Sequence, residues 1–165
     1  MDLQKRPKLK LPKTRWEVFF DGITIILLLL CIIYLTVAWE SLPSEVPAHY
    51  NAAGEVDRWG KKWEMIIIPV IAVAMWISMT VLEKYPHVYN YSNLTKENVK
   101  AQYINARTML NVIKNTITIL FAYITWNDIQ VSLGRAETIG VWFIPFFFIV
   151  ILGPMIFFII RSSRL

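Results

Sequence analysis

Long apolar runs separated by short polar connectors set the pattern of this chain. Crossing a bilayer core as a helix takes roughly 20 mostly apolar residues. Four stretches meet that length, at about 19–39, 65–82, 108–126 and 139–160. In lipid each run must satisfy its own backbone, so helix is the expected form. Pro69 falls in the first turns of the second run, where proline is tolerated. Pro145 and the Gly153-Pro154 pair lie inside the fourth, where a bend is expected. Trp16, Trp39, Trp63, Trp126 and Trp142 sit near run ends, as amphipathic indoles at headgroup level do. The expected fold is an all-α integral membrane protein of four transmembrane helices, one domain over all 165 residues, with a structured outer loop between helices one and two.

The third run differs from the others. Asn111, Lys114 and Asn115 interrupt it. At about 100° per residue, Arg107, Lys114, Thr118 and Thr125 share a narrow sector. Thr108, Asn111, Asn115 and Ala122 widen it to about a third of the circumference. This stripe is expected to face protein or a wet cavity, and the helix to begin well before the membrane, near Thr95. Ionisable groups inside a span are functional candidates by default. Two plainer readings stand beside that one: Lys114 snorkels to the boundary, or it pairs with Asp21 near the inner end of the first span.

Composition agrees with a membrane protein. Residues are 56% apolar and 18% charged, and mean hydropathy is +0.46. The single cysteine, Cys31, excludes an internal disulfide and reads as a small buried residue. The net charge of +5 is unevenly spread. Lys5, Arg6, Lys8, Lys10, Lys13, Arg15, Lys84, Lys96, Lys100, Arg107, Arg161 and Arg164 fall on one side; Arg58, Lys61, Lys62 and Arg135 fall on the other. Positive charge stays inside, so both termini are expected in the cytoplasm of a bacterial cell, with the protein multi-pass in its plasma membrane. The basic tail is thereby a topology signal, and no nucleic-acid partner is expected. The first apolar run is longer than the roughly 7–15 residues of a signal-peptide core and is read as retained.

The outer segment WESLPSEVPAHYNAAGEVDRWGKKW changes the picture most. Pro43 and Pro47 stiffen its entry, and Asn51-Ala-Ala-Gly54 reads as a turn with Gly54 free to take positive φ. Leu42, Pro43, Val46, Pro47, His49, Asn51, Gly54, Asp57, Trp59 and Lys62 stand at fixed spacings here. In that pattern the segment resembles a bacterial membrane domain family of unknown function. The same domain forms part of the immunity protein against the sporulation-delaying toxin of bacilli. The resemblance covers spans one and two. It implies a protective or sensing membrane protein that uses the outer loop as its recognition surface. The immunity protein carries a further multi-span region after this domain, linked to repressor sequestration; a chain with four expected spans looks too short to carry it, which puts repressor capture in doubt.

Chemistry-bearing residues in the loop are His49, Asn51 and Asp57, with Glu45 and Glu55 nearby. A metal site would need them to converge; the alternative is a structural loop in which they bond backbone and each other. No H-E-x-x-H, phosphate-binding loop or nucleophile motif occurs. No cofactor, metal or catalytic residue is therefore expected, and the chain is not expected to be an enzyme. His87, in the inner connector, reads as solvent-facing. Three function classes remain. The first is an interaction or protection protein contacting the lipid bilayer and a secreted peptide or another membrane protein. The second is a small permease using Asp21, Asn111, Lys114, Asn115 and Thr118. The third is a metal-dependent membrane enzyme.

Overall fold

A computed structural model describes residues 6–165. Lys5 of the basic tail lies outside the described residues. Four long helices run in sequence: α1 (Arg15–Ala38), α2 (Ile67–Leu82), α3 (Val99–Ser132) and α4 (Phe143–Ser163). Between α1 and α2 the chain forms an antiparallel hairpin of β1 (Glu45–Tyr50) and β2 (Val56–Lys61). Three helices are long and apolar enough to cross a membrane: Arg15–Ser41, Lys62–Leu82 and Phe143–Ser163. The polar stripe keeps α3 out of that class.

Helix α3 is the hub. It packs against α1, α2 and α4 and also against β1. Its buried positions include Gln102, Asn105, Arg107, Asn111, Lys114, Asn115, Thr118 and Thr125. Meanwhile α1, α2 and α4 turn large apolar side chains outward, such as Leu30, Val70 and Ile149. The distribution is reversed from that of a water-soluble bundle, with polar groups in the middle and apolar ones outside. That is the arrangement a surrounding apolar medium favours, because polar groups there must find one another.

Helix α1 begins four residues before the expected span. Thr14 accepts from the Glu17 backbone N–H, and Glu17 accepts back from Thr14 N–H at 2.6 Å. This reciprocal cap fixes the start inside the basic tail. A 3₁₀ turn, Trp39–Ser41, ends it before Leu42, which is extended ahead of Pro43. Helix α4 starts at Phe143 rather than at Ile139, because Ile139 N–H donates to Gly54 O and Gly140 sits at φ +92°. It then continues through Pro154 to Ser163. Helix α3 outruns the expected 108–126 span at both ends and starts at Val99, close to the expected inner extension.

The hairpin is tied down on two sides. Val46 is fully buried with Leu42, Leu35, Ala38, Met65 and Ile129. Its turn uses Asn51, whose Oδ1 accepts from Ala53 and Glu55 N–H at 2.9 and 3.1 Å. Gly54 takes φ +80°, and a Cβ there would come within 2.6 Å of the Gly140 carbonyl oxygen. Two independent constraints thus select glycine. Gly54→Ala is expected to cost more than about 1 kcal/mol and to loosen the hairpin from the α3–α4 connector. Thermal unfolding in detergent micelles measures the first effect; hydrogen exchange at Ile139 N–H measures the second.

Candidate functional site

The hairpin roofs a cavity of about 490 Å³ formed with α2, α3, α4 and the α3–α4 connector. Ile67 and Ile68 come from α2, Phe121 and Ile124 from α3, and Phe143 and Phe147 from α4. The aromatic wall is continuous: Phe143 and Phe147 rings lie 6.2 Å apart, and Phe147 meets Phe148 edge to face. The volume falls in the range of small-ligand sites, about 300–1,000 Å³.

Polar groups reach this cavity from the hairpin and from α3. Tyr50 donates its hydroxyl to Asp128 Oδ1 at 2.6 Å and accepts from Asn127 Nδ2 at 3.2 Å. Burial, then the adjacent Asp128 carboxylate, push the Tyr50 hydroxyl well above its ordinary range, so it stays a donor. Arg58 donates to Glu64 at 3.1 Å and to Ala48 O at 2.9 Å. Glu64 also accepts from Lys61 N–H at 2.9 Å and crowds the space a Cβ on Gly60 would need.

His49 and Asp57 do come together, with Nδ1 and Oδ1 2.6 Å apart on the hairpin's exposed side. Among the described residues, no three His, Cys, Asp or Glu side chains converge where a metal could be held. Asn51 serves the turn. Leu42, Val46 and Pro47 are buried, whereas Pro43 and Trp59 are exposed. Lys62 places its ammonium 5.0 Å from the Trp39 ring, joining the hairpin's end to the end of α1.

Asp21 and the polar stripe of α3 form a second constellation toward the opposite end of the bundle. Lys114 is completely buried. Its Nζ lies 2.9 Å from Asp21 on α1 and 2.7 Å from Glu83 at the end of α2, and 3.0 Å from Thr80 Oγ1. The Trp76 ring covers it at 4.7 Å. The expected Asp21–Lys114 pair is therefore present, inside a larger set. Lys13 Nζ bridges Asp21 and Glu83 at 2.5 Å each. Two cations and two carboxylates balance. Asn111 Nδ2 donates to Asp21 and Glu83, and Asn115 Nδ2 to Asp21 at 2.8 Å. Trp76 Nε1 in turn donates to Asn115 Oδ1 at 3.0 Å. Thr118 bonds back to the Lys114 carbonyl at 2.9 Å.

A neighbouring pair extends the set. Arg107 meets Glu17, the α1 capping residue, at 3.0 Å with both side chains 4% exposed. Thr108 adds a bond to Glu17 at 3.0 Å, and Arg107 also donates to Leu11 O. Two of the positive charges counted on the inner side, Lys13 and Arg107, are thus spent on ion pairs. Burial alone would depress Lys13, but Asp21 and Glu83 more than offset it and hold its ammonium above the ordinary lysine value. Its stabilising contribution is complete below pH 10.5 and is lost as pH rises from there through the higher folded value. His87, read as solvent-facing, is half-buried, and its carbonyl accepts from Arg6 at 3.2 Å.

Sequence reasoning missed Asp128, Glu83, Lys13 and the Glu17–Arg107 pair as site residues. An aspartate two positions after Trp126 in a helical pattern was the available signal for the first. Glu83 beside Lys84 resembled an ordinary connector.

The sequence comparisons fit this geometry. A family model described as a domain of unknown function (DUF1648) matches residues 26–73, which run from mid-α1 through the hairpin into α2. An uncharacterized protein of Archaeoglobus fulgidus is 29% identical over 86 residues, covering 45% of this chain and 47% of the relative. The chain thus spans about half the length of that curated relative. No solved structure matches the chain.

Removing one partner from a buried charge set leaves the rest uncompensated, at about 3–5 kcal/mol. Lys114→Met is expected to destabilise by that amount. Adding Glu83→Gln restores electrical balance through Asp21 and Lys13 and is expected to recover about half of the loss. Chemical denaturation of the three proteins in micelles, followed by tryptophan fluorescence, measures both steps.

Proposed function

We propose that this chain is a four-span plasma-membrane protein, both termini cytoplasmic, that binds a partner at its outward hairpin. The partner is a secreted peptide or another membrane protein, and the consequence is protection or sensing rather than catalysis. One observation carries the reading: the hairpin that bears the family motif roofs a cavity of ligand size lined by three helices. Recognition by a concave, mostly apolar site with a few fixed polar groups is the usual form of such binding.

Further support comes from the way the elements run. The start of α1, the end of α2 and the end of α4 all meet the inner half of α3, through Glu17–Arg107, Glu83–Lys114 and Ser162–Gln102. The hairpin and the α3–α4 connector meet the other end. A helix of 34 residues is roughly 50 Å long, enough to accompany its neighbours across a bilayer. The excess of Lys and Arg at the inner end agrees with cytoplasmic termini. The small-permease alternative rests on the α3 stripe, but its amides and Lys114 are engaged with α1 and α2, which favours a structural role for it.

The test is a deletion strain challenged with peptides secreted by its own and neighbouring strains, with membrane potential as the readout. Wild-type protein is expected to restore resistance. Ile124→Trp, which fills the cavity, is expected to reach the membrane in normal amount yet fail to protect. Equal protection by the filled variant, or no sensitivity on deletion, would contradict the reading.

A further inference from the structure

The ionisable groups around the outer cavity are not all paired. Arg58 is matched by Glu64, and His49 by Asp57. Asp128 is not matched. It is 5% exposed, and among the described residues its carboxyl group accepts one hydrogen bond, from the neutral Tyr50 hydroxyl to Oδ1. Among the described residues, no hydrogen bond reaches its Oδ2 and no cation stands beside it. Every other carboxylate in the bundle interior, Glu17, Asp21 and Glu83, has a Lys or Arg in contact. An ionised carboxylate in apolar surroundings needs a counter-charge. Asp128 lines the cavity together with Phe143 and Phe147.

We propose that the cavity binds a monocation with an apolar body, its ammonium set against Asp128 and its apolar part against the α4 phenylalanines. This rests on the cavity being the binding site and adds the chemistry of what it takes. Tyr50 holds Oδ1 and so leaves Oδ2 pointing at the ligand. Rings near a cation add quadrupole attraction. The cavity volume of about 490 Å³ accommodates a short arylalkyl amine, such as a terminal amine on an apolar side chain or a small amphiphile. A polycation would bring charge for which the lining has no partner.

The experiment uses the full chain in nanodiscs of phosphatidylcholine, with three probes sharing one body: phenylbutylamine, phenylbutanol and phenylbutyrate. Calorimetric titration, corrected with empty nanodiscs, gives each affinity. The amine is expected to bind at least about tenfold more tightly than the alcohol, and the acid least. Asp128→Asn is expected to bring the amine down to the alcohol while leaving alcohol binding unchanged, which also verifies its fold. Tyr50→Phe keeps the carboxylate and is expected to keep the amine preference. If Asp128→Asn does not fold, the wild-type ranking decides alone. Amine and alcohol bound alike would overturn the charge rule and leave the cavity as a binding site. Binding of none of the probes would overturn both.

Discussion

Everything in this bundle hangs on the burial of Lys114 between Asp21 and Glu83. An ammonium with no exposure to solvent is tolerable only if its charge is met on the spot. Two carboxylates from two different helices meet it, and Lys13 balances the second carboxylate. The geometry therefore specifies which face of α3 turns inward, how α1 and α2 stand relative to it, and where the basic tail crosses the inner end. Apolar packing alone would leave these choices open, since lipid is as good a solvent for leucine as another leucine is.

From that constraint the outer end follows. With the polar stripe inward, Asp128 and Asn127 bond the hairpin's Tyr50, and Ile124 and Phe121 line the cavity shared with the α4 phenylalanines. The hairpin is then positioned by Val46 in the core and by Gly54 against Gly140. Its Tyr50 hydroxyl reaches Asp128, which among the described residues has no Lys or Arg in contact. The two ends of α3 thus differ in kind. At the inner end every buried carboxylate has a Lys or Arg in contact, whereas the outer end places a carboxyl group with no such partner beside a cavity.

The legibility of the sequence was uneven, for physical reasons. Helices α1, α2 and α4 announce themselves because lipid exposure demands unbroken apolar runs. The Asn51–Gly54 turn was readable because its amide and its glycine have local roles. Asp21 and Lys114 could be paired because each stood out from an apolar background. The strands were hidden: Glu45–Tyr50 and Val56–Lys61 contain proline and charges, and their faces are decided by docking rather than by alternation. Glu83 and Lys13 were hidden because they flank polar connectors. Tyr50 and Asp128 stand 78 positions apart, so no local pattern joins them. The family match at 26–73 ends before α3 begins, and so covers the roof of the cavity but neither Lys114 nor Asp128.

In the proposed four-span arrangement α3, which carries Arg107 and Lys114, crosses the bilayer because α1 and α2 neutralise it. Single-cysteine variants at Glu97 and Glu137, which bracket α3, test it in a Cys31→Ala background. A membrane-impermeant maleimide applied to intact cells is expected to label position 137 at once and position 97 only after permeabilisation. Labelling of both positions from the same side would mean that α3 does not cross, and the account of Lys114 as the pin of a four-span bundle would fail.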